Sequence, residues 1–231
     1  MTGKALTALV AGRIAYRRAD GQEIGRERFE IAHHSGGSTL RALCELDDVG
    51  VLRDVTLALD QDRKPLDAFS RVTRRGAAIA TTWFLVEPAA LVCEGWISGI
   101  GRISQRLATP EPPAYLGLHP LACDALIAAI RGADKPGCFR LIPCFTNSVS
   151  PNGDQDLYAI PTAIDVAYAG RETIDVAAGR FVADRFALRW KSDWPPADLW
   201  VRPADNIFLR MRWTMIENWY ELAALEELPQ Q

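Results

Sequence analysis

Leu91 to Arg106 reads LVCEGWISGIGRISQR, and the way its side chains alternate decides the fold class. Read as one extended run, it places Gly95, Gly99 and Gly101 on one parity and Glu94, Trp96, Ser98 and Arg102 on the other. Alternate residues of a strand face opposite sides. One face is therefore stripped of side chains while the other carries an acid, an indole and a base. Glycine packs nothing in a strand and marks a bulge, a tight bend or a close approach by another group. The run predicts a strongly curved strand whose bare face is filled either by a helix pressing on it or by a ligand.

Most of the chain repeats this period of two between turn signals, the pattern of antiparallel strands with one buried face. Leu9 to Arg18 and Ile24 to His33 flank Ala19-Asp20-Gly21, a hairpin signal. Ser38 to Asp47, Val51 to Asp60, Pro65 to Thr73 and Ala77 to Val86 continue the meander. Pro110 to Pro113 (PEPP) ends it, because proline sustains neither strand nor helix. His119-Pro120 then opens LACDALIAAIRG, a helix expected over Pro120 to Arg131 with Gly132 past its end. Leu121, Ala122, Ala125, Leu126, Ala129 and Ile130 leave that helix so little polar surface that it must be buried against the sheet. Strands resume at Cys138 to Thr146, Leu157 to Ala169, Glu172 to Ala177, Arg180 to Lys191, Leu199 to Arg202 and Asn206 to Met215, with Ala169-Gly170-Arg171 read as a turn. The tail around Trp219-Tyr220 fits both periods and is taken as a closing strand after a turn at Glu217-Asn218.

These readings give one mainly β domain over residues 1–231 with a helical insertion at about 114–132. Its expected form is a single curved antiparallel meander sheet, or half-open barrel, wrapped over one central helix. Within it, Gly179 to Phe181, Leu199 to Val201, the polar turn Ala204 to Asn206 and Ile207 to Leu209 resemble the bacterial family called domain of unknown function 3108. The match is specific over about Ala177 to Met211 and architectural before that. The resemblance implies a lipoprotein-carrier-like half-barrel over a helix and supplies no catalytic residues. The absence of an export signal at the start of the chain departs from the family's usual pattern.

With 26 basic and 29 acidic residues and a net charge of −3, the chain has no bulk attraction for nucleic acid or anionic membrane. No segment has the roughly 18 unbroken apolar residues of a membrane span, so no membrane insertion is expected. The five cysteines are odd in number and form no C-x-x-C. Reduced thiols in a cytoplasmic protein are the expectation. No phosphate loop, H-E-x-x-H or G-x-S-x-G is present, and neither a metal nor a cofactor is expected. Nothing in the pattern points to an oligomeric state.

The candidate chemistry therefore rests on scattered residues. A short turn at Pro88-Ala89 sets Glu94 opposite Trp83, or beside Phe84 if the turn is longer, and burial among aromatics would make a general acid of it. Glu94 and Arg102 would lie about 27 Å apart on a straight strand, so they are not expected to pair. His119 at the helix entry, near Cys123 and Asp124, is the second proton carrier, and Arg102 the charge holder. Trp83, Trp96, Gly99, Gly101, Gln105, Arg106 and Tyr115 are the expected ligand contacts. Seven tryptophans suit a cleft for a flat apolar or aromatic molecule. The leading expectation is binding of such a molecule between sheet and helix. The alternatives are a cofactor-independent lyase, isomerase or hydratase using general acid–base chemistry, and a structural domain with a filled core.

Overall fold

In the computed structural model, which describes residues 6–216 and 218–228, the period-two segments join into one sheet. The first meander comprises β1 (Ala8–Arg18), β2 (Glu23–His34), β3 (Gly37–Leu46), β4 (Val51–Asp60), β5 (Pro65–Arg74), β6 (Ala77–Glu87), β7 (Ala90–Ile97) and β8 (Gly101–Ala108). The insert follows as β9 (Leu116–Gly117), α1 (Leu121–Asp124) and α2 (Ile127–Arg131). A second meander runs through β10 (Phe139–Thr146), β11 (Ile160–Val176), β12 (Gly179–Arg189), β13 (Ala197–Val201), β14 (Phe208–Trp213) and β15 (Asn218–Leu228). The expected turn residue Glu217 and the first five residues of the N-terminal segment lie outside the described residues.

The strand order is β8 down to β1, then β15 down to β9, so β1 and β15 pair at the centre, with Leu9 opposite Leu228 and Arg18 opposite Asn218. Every neighbour is antiparallel except the short β9, which lies parallel to β10. A curled sheet with β8 on one edge must manage that edge. Here the Gln105 side chain does so by imitating a strand. Its Oε1 accepts from the Ala159 N–H at 2.9 Å, and its Nε2 donates to the Ala159 carbonyl at 3.4 Å, just before β11 begins. The Gln105 amide thus ties the inner face of β8 to the segment that leads into β11.

The opening stretch has a different explanation from the expected bent strand. It is a hairpin: β7 ends at Ile97, and β8 begins at Gly101. Gly99 and Gly101 have φ of +80° and +96°, values that a tight turn requires and that only glycine adopts freely. Gly95 lies on the inner parity with Leu91, Cys93 and Ile97, and a Cβ there would overlap the Thr81 carbonyl. Neighbouring backbone fills its bare face. The fold-back also brings Arg102 to 3.9 Å from Glu94, correcting the expected separation.

Two further segments differ from expectation. The turn read at Ala169-Gly170-Arg171 is a register shift inside one continuous strand, β11, opposite β12. A bulge bends a strand without ending it. The insert forms two short helical turns instead of one regular helix, and it buries Ile127 while exposing Ala129 and Ile130. Arg131 goes inward instead. Its guanidinium donates to the carbonyls of Val166 and Cys138 at 3.0 and 2.7 Å and to Asp134 at 2.8 Å. These partners satisfy a cation that burial would otherwise leave costly.

The insert lies in the main core with Leu40, Phe84, Leu116, Leu118 and Phe186. Leu126 is only partly buried, whereas Ile127 is fully so. Ile127→Ala should therefore cost about 2–5 kcal/mol of unfolding free energy. An unchanged denaturation midpoint would show that the insert lies outside the cooperative core.

Candidate functional site

A charged residue on the apolar parity of a strand must be matched inside the protein. The inner faces of β2 and β4 each carry one. In β2 the inward set Gly25, Glu27, Phe29 includes an acid, and in β4 the inward set Val51, Arg53, Val55, Leu57 includes a base. The registers Ile14–Glu27, Glu27–Cys44 and Cys44–Arg53 put these groups in one row across four strands.

Glu27 is fully buried and accepts four hydrogen bonds. The Leu121 and Ala122 N–H groups at the start of α1 donate to it at 2.7 and 2.9 Å, the Tyr16 hydroxyl at 2.9 Å and the Cys44 thiol at 3.6 Å. Burial pushes its carboxyl upward, and the four donors oppose that shift. It is anchored in the fold with no capacity to spare. Burial raises the Cys44 and Cys123 thiols well above the ordinary range, so neither is an activated nucleophile. The Cys–His pairing weighed for Cys123 and His119 is thereby set aside.

Beside this row lies a cavity of about 190 Å³. Its lining includes the polar residues Arg53, His119, Tyr115 and Asp124 and the indoles of Trp190, Trp194 and Trp213. Trp213 packs against Trp190 and Trp194 with ring centroids 5.0 and 5.4 Å apart. Exposed residues such as Asp48, Val149 and Lys191 stand at its mouth. The loop 147–159 forms one wall by bonding to the sheet. Arg53 donates to the Asn152 and Gly153 carbonyls, Arg74 pairs with Asp154, and Asn147 reaches Ser70. Gly153, at φ +61°, sits where a Cβ would overlap both the His119 ring and the Arg53 guanidinium.

Asp124 is the titratable acid of this wall. The Tyr115 hydroxyl donates to its Oδ1 at 2.7 Å. Burial raises its pKa to about 6, with Tyr115 opposing that shift, nearby Glu27 adding to it and Arg53 opposing it. His119 has a φ of +75° and its Nε2 lies 3.1 Å from the Ser148 carbonyl. Burial, together with the charge of Arg53, lowers its pKa to about 3, so it is neutral near pH 7.

Of the sequence-derived site residues, only His119 and Tyr115 meet at this cavity. Glu94 faces outward, where Ser104 Oγ donates to it at 2.6 Å. It does stand opposite Trp83, one of the two expected registers. Trp83 and Trp96 are themselves 42% and 45% exposed, so the burial expected to make Glu94 an acid is not present. Arg102 is 86% exposed and Arg106 pairs with Glu87 on the same outer face. Gly99 and Gly101 shape the hairpin turn, and Gln105 closes the seam. These positions are corrected for one reason. Strand parity separates the two faces of a sheet but does not say which of them is concave, and the face that carries Trp83, Glu94, Trp96, Arg102 and Arg106 is the outer one. Arg53, Asp124 and the Trp190–Trp194–Trp213 group were missed as a set. The legible signal was Arg53 interrupting the apolar parity of VLRDVTLALD.

With this geometry in hand, the similarities to known proteins are informative about fold. No protein-family model and no curated protein matches the chain. A solved beta-barrel-like protein of domain of unknown function DUF1849 from Brucella abortus aligns over 96% of this chain and 98% of that one, with a TM-score of 0.61 and 12% identity. The fold is a bacterial, barrel-like curved sheet. Two further matches are a candidate exported protein with a YmcC-like fold from Bacteroides fragilis (10% identity, TM-score 0.34, 96% and 100% coverage) and a candidate lipoprotein from Parabacteroides distasonis (10% identity, TM-score 0.32, 97% of each chain).

The cytoplasmic expectation is corrected at this point. Those two proteins are described as exported and as a lipoprotein. The cysteines offer no opposing argument. Cys44, Cys93, Cys123 and Cys144 are buried and unpaired, and burial protects a thiol in either compartment. Among the described residues no helix is long and apolar enough to cross a membrane.

The two titrating groups have opposite effects on stability. Asp124 keeps its proton to about pH 6 when folded but releases it near pH 4 when unfolded. Its contribution therefore falls as pH rises from about 4 to 6. His119 stays neutral to about pH 3 when folded but protonates near pH 6.5 when unfolded, so its contribution falls as pH drops through that window. Asp124→Asn should gain stability relative to the parent as pH rises from about 4 to 6, reaching on the order of 2–3 kcal/mol above pH 7. Denaturant titrations across pH 4–8 that show a constant difference would contradict this assignment.

Proposed function

We propose that the chain binds a hydrophobic or aromatic small molecule in the cavity between the curved sheet and the insert. The observation that carries this reading is one open space lined both by three clustered indoles and by hydrogen-bonding groups. Such a lining suits a small ligand: apolar contact supplies affinity and a few polar groups fix direction. Roughly 150 Å³ of engineered apolar cavity is enough to admit benzene. A space of about 190 Å³ thus suits a molecule of one or two rings better than a long acyl chain. Kinship with the domain of unknown function 3108 is part of the same proposal. Its signature segments lie in consecutive elements here, with Gly179 opening β12, Val201 closing β13 and Phe208 opening β14.

Calorimetric titration with a panel of mono- and bicyclic aromatic compounds tests the reading. Saturable binding is expected, and Trp213→Ala should weaken it about tenfold or more, since a buried aromatic wall commonly contributes over 1.4 kcal/mol. Trp96→Ala, on the outer face, should leave it unchanged. Absence of binding across the panel, or equal losses in both variants, would contradict the assignment.

A second reading is favoured by Asp124 alone. An acid with a pKa of about 6, held by Tyr115 on a cavity wall, is suited to moving protons near neutral pH. The lyase, isomerase or hydratase alternative would use Asp124 in the role first expected of Glu94. Asp124→Asn would then retain binding and lower turnover by about 100-fold or more. Full turnover in that variant would eliminate Asp124 as the proton carrier.

A further inference from the structure

The charged groups of the cavity are not equally matched. Glu27 accepts from four donors, and Asp124 accepts from Tyr115. Arg53 is only 2% exposed, and its protein partners are the Asn152 and Gly153 carbonyls, both reached by Nη2. Nε is buried without a hydrogen-bond partner. Among the described residues Nη1 makes no hydrogen bond, and no carboxylate lies within ion-pair distance of the guanidinium. Carbonyl oxygens satisfy donors but do not neutralise a charge. A guanidinium held away from water with donors left over is costly unless something else completes it.

Arg53 is also fixed in place. It stands in β4 between Cys44 of β3 and Val72 of β5, and Gly153 holds it against the loop wall on the same side as His119. It lines the same cavity as the three indoles. The acids nearby do not supply the missing partner, because each is already engaged by neutral donors.

We propose that the ligand of this cavity carries a carboxylate or comparable anionic oxygen group beside its apolar body, and that Arg53 receives that group. The inference rests on the cavity being a ligand site. The anionic oxygens would accept the free N–H donors of Arg53 and neutralise its charge, while the ring lies against Trp213 and its neighbours. Arginine is suited to this role because its charge persists when buried. The resulting ligand class is the small aromatic or alicyclic acid, with neutral and cationic analogues bound more weakly.

Isosteric series separate this proposal from the reading beneath it. Naphthalene-2-carboxylate, 2-naphthamide and 2-naphthylmethylamine, with benzoate, benzamide and benzylamine, would be titrated calorimetrically into the full chain at pH 7. The carboxylates should bind at least about tenfold more tightly than the matching amides, as a charge-assisted hydrogen bond to a desolvated cation requires, and the amines should bind most weakly. Arg53→Met should bring the carboxylates down to the amide affinity. The comparison within the parent protein stands even if that variant fails to fold. Amides or amines binding as tightly as the carboxylates would overturn the role of Arg53 while leaving the cavity reading intact. Failure of every compound, neutral ones included, would overturn both.

Discussion

One buried carboxylate holds the start of the insert to the sheet. Glu27 receives two backbone N–H groups from the start of α1, the hydroxyl of Tyr16 from β1 and the thiol of Cys44 from β3. Pro120, at the start of α1, provides no side-chain cap, and the first N–H groups of a helix have no partner within it. The cap comes from the sheet instead. Each buried donor left unpaired would cost about 1–3 kcal/mol, and the carboxylate itself could not stay charged in that position without them.

The remaining features of the concave side depend on that attachment. Fixing Leu121 and Ala122 fixes Asp124 one turn later, where Tyr115 meets it, and places His119 just before the turn. The loop 147–159 then closes over Arg53 and Arg74. What remains unfilled is the space lined by these groups and by the tryptophans of the loop after β12 and of β14. The cavity is thus a consequence of how far the insert can enter, limited by a cap that sits on β2. Opposite, the curl of the sheet is secured at its seam by Gln105 and Ala159. Both attachments use side chains to satisfy backbone groups where a regular ladder or helix cannot.

The strands were legible because burial on one face writes itself as period two, and the registers of β3 to β6 follow that period almost residue for residue. Turns were less so. Glycine at positions 99 and 101 signals either a bend within a strand or a hairpin; odd residues face inward in both readings, but only the hairpin folds Arg102 and Ser104 back beside Glu94. Gly170 presented the reverse ambiguity, since a bulge and a turn share the same residues. Arg131 and Ile130 traded places because backbone carbonyls of β11 and of the loop between α2 and β10 satisfy the guanidinium, and no local pattern announces the carbonyl that distant Val166 supplies. The site was partly legible for the same reason. Tyr115 and His119 lie beside the insert in sequence, whereas Arg53 and Trp213 meet them only through the curl of the sheet. The signal that did exist was a charge on an apolar parity, present at both Glu27 and Arg53.

The measurement that tests this account most directly is residue-resolved hydrogen exchange on the Glu27→Gln protein. A carboxamide turns one acceptor oxygen into a donor, so either the Leu121 or the Ala122 N–H loses its partner. The account predicts that amides of the insert, from Leu121 to Arg131, exchange at least about tenfold faster, corresponding to about 1.4 kcal/mol of lost local stability. The β4 to β6 ladder should retain its protection. Unchanged protection across the insert would contradict the claim that Glu27 holds it in the barrel and so defines the cavity.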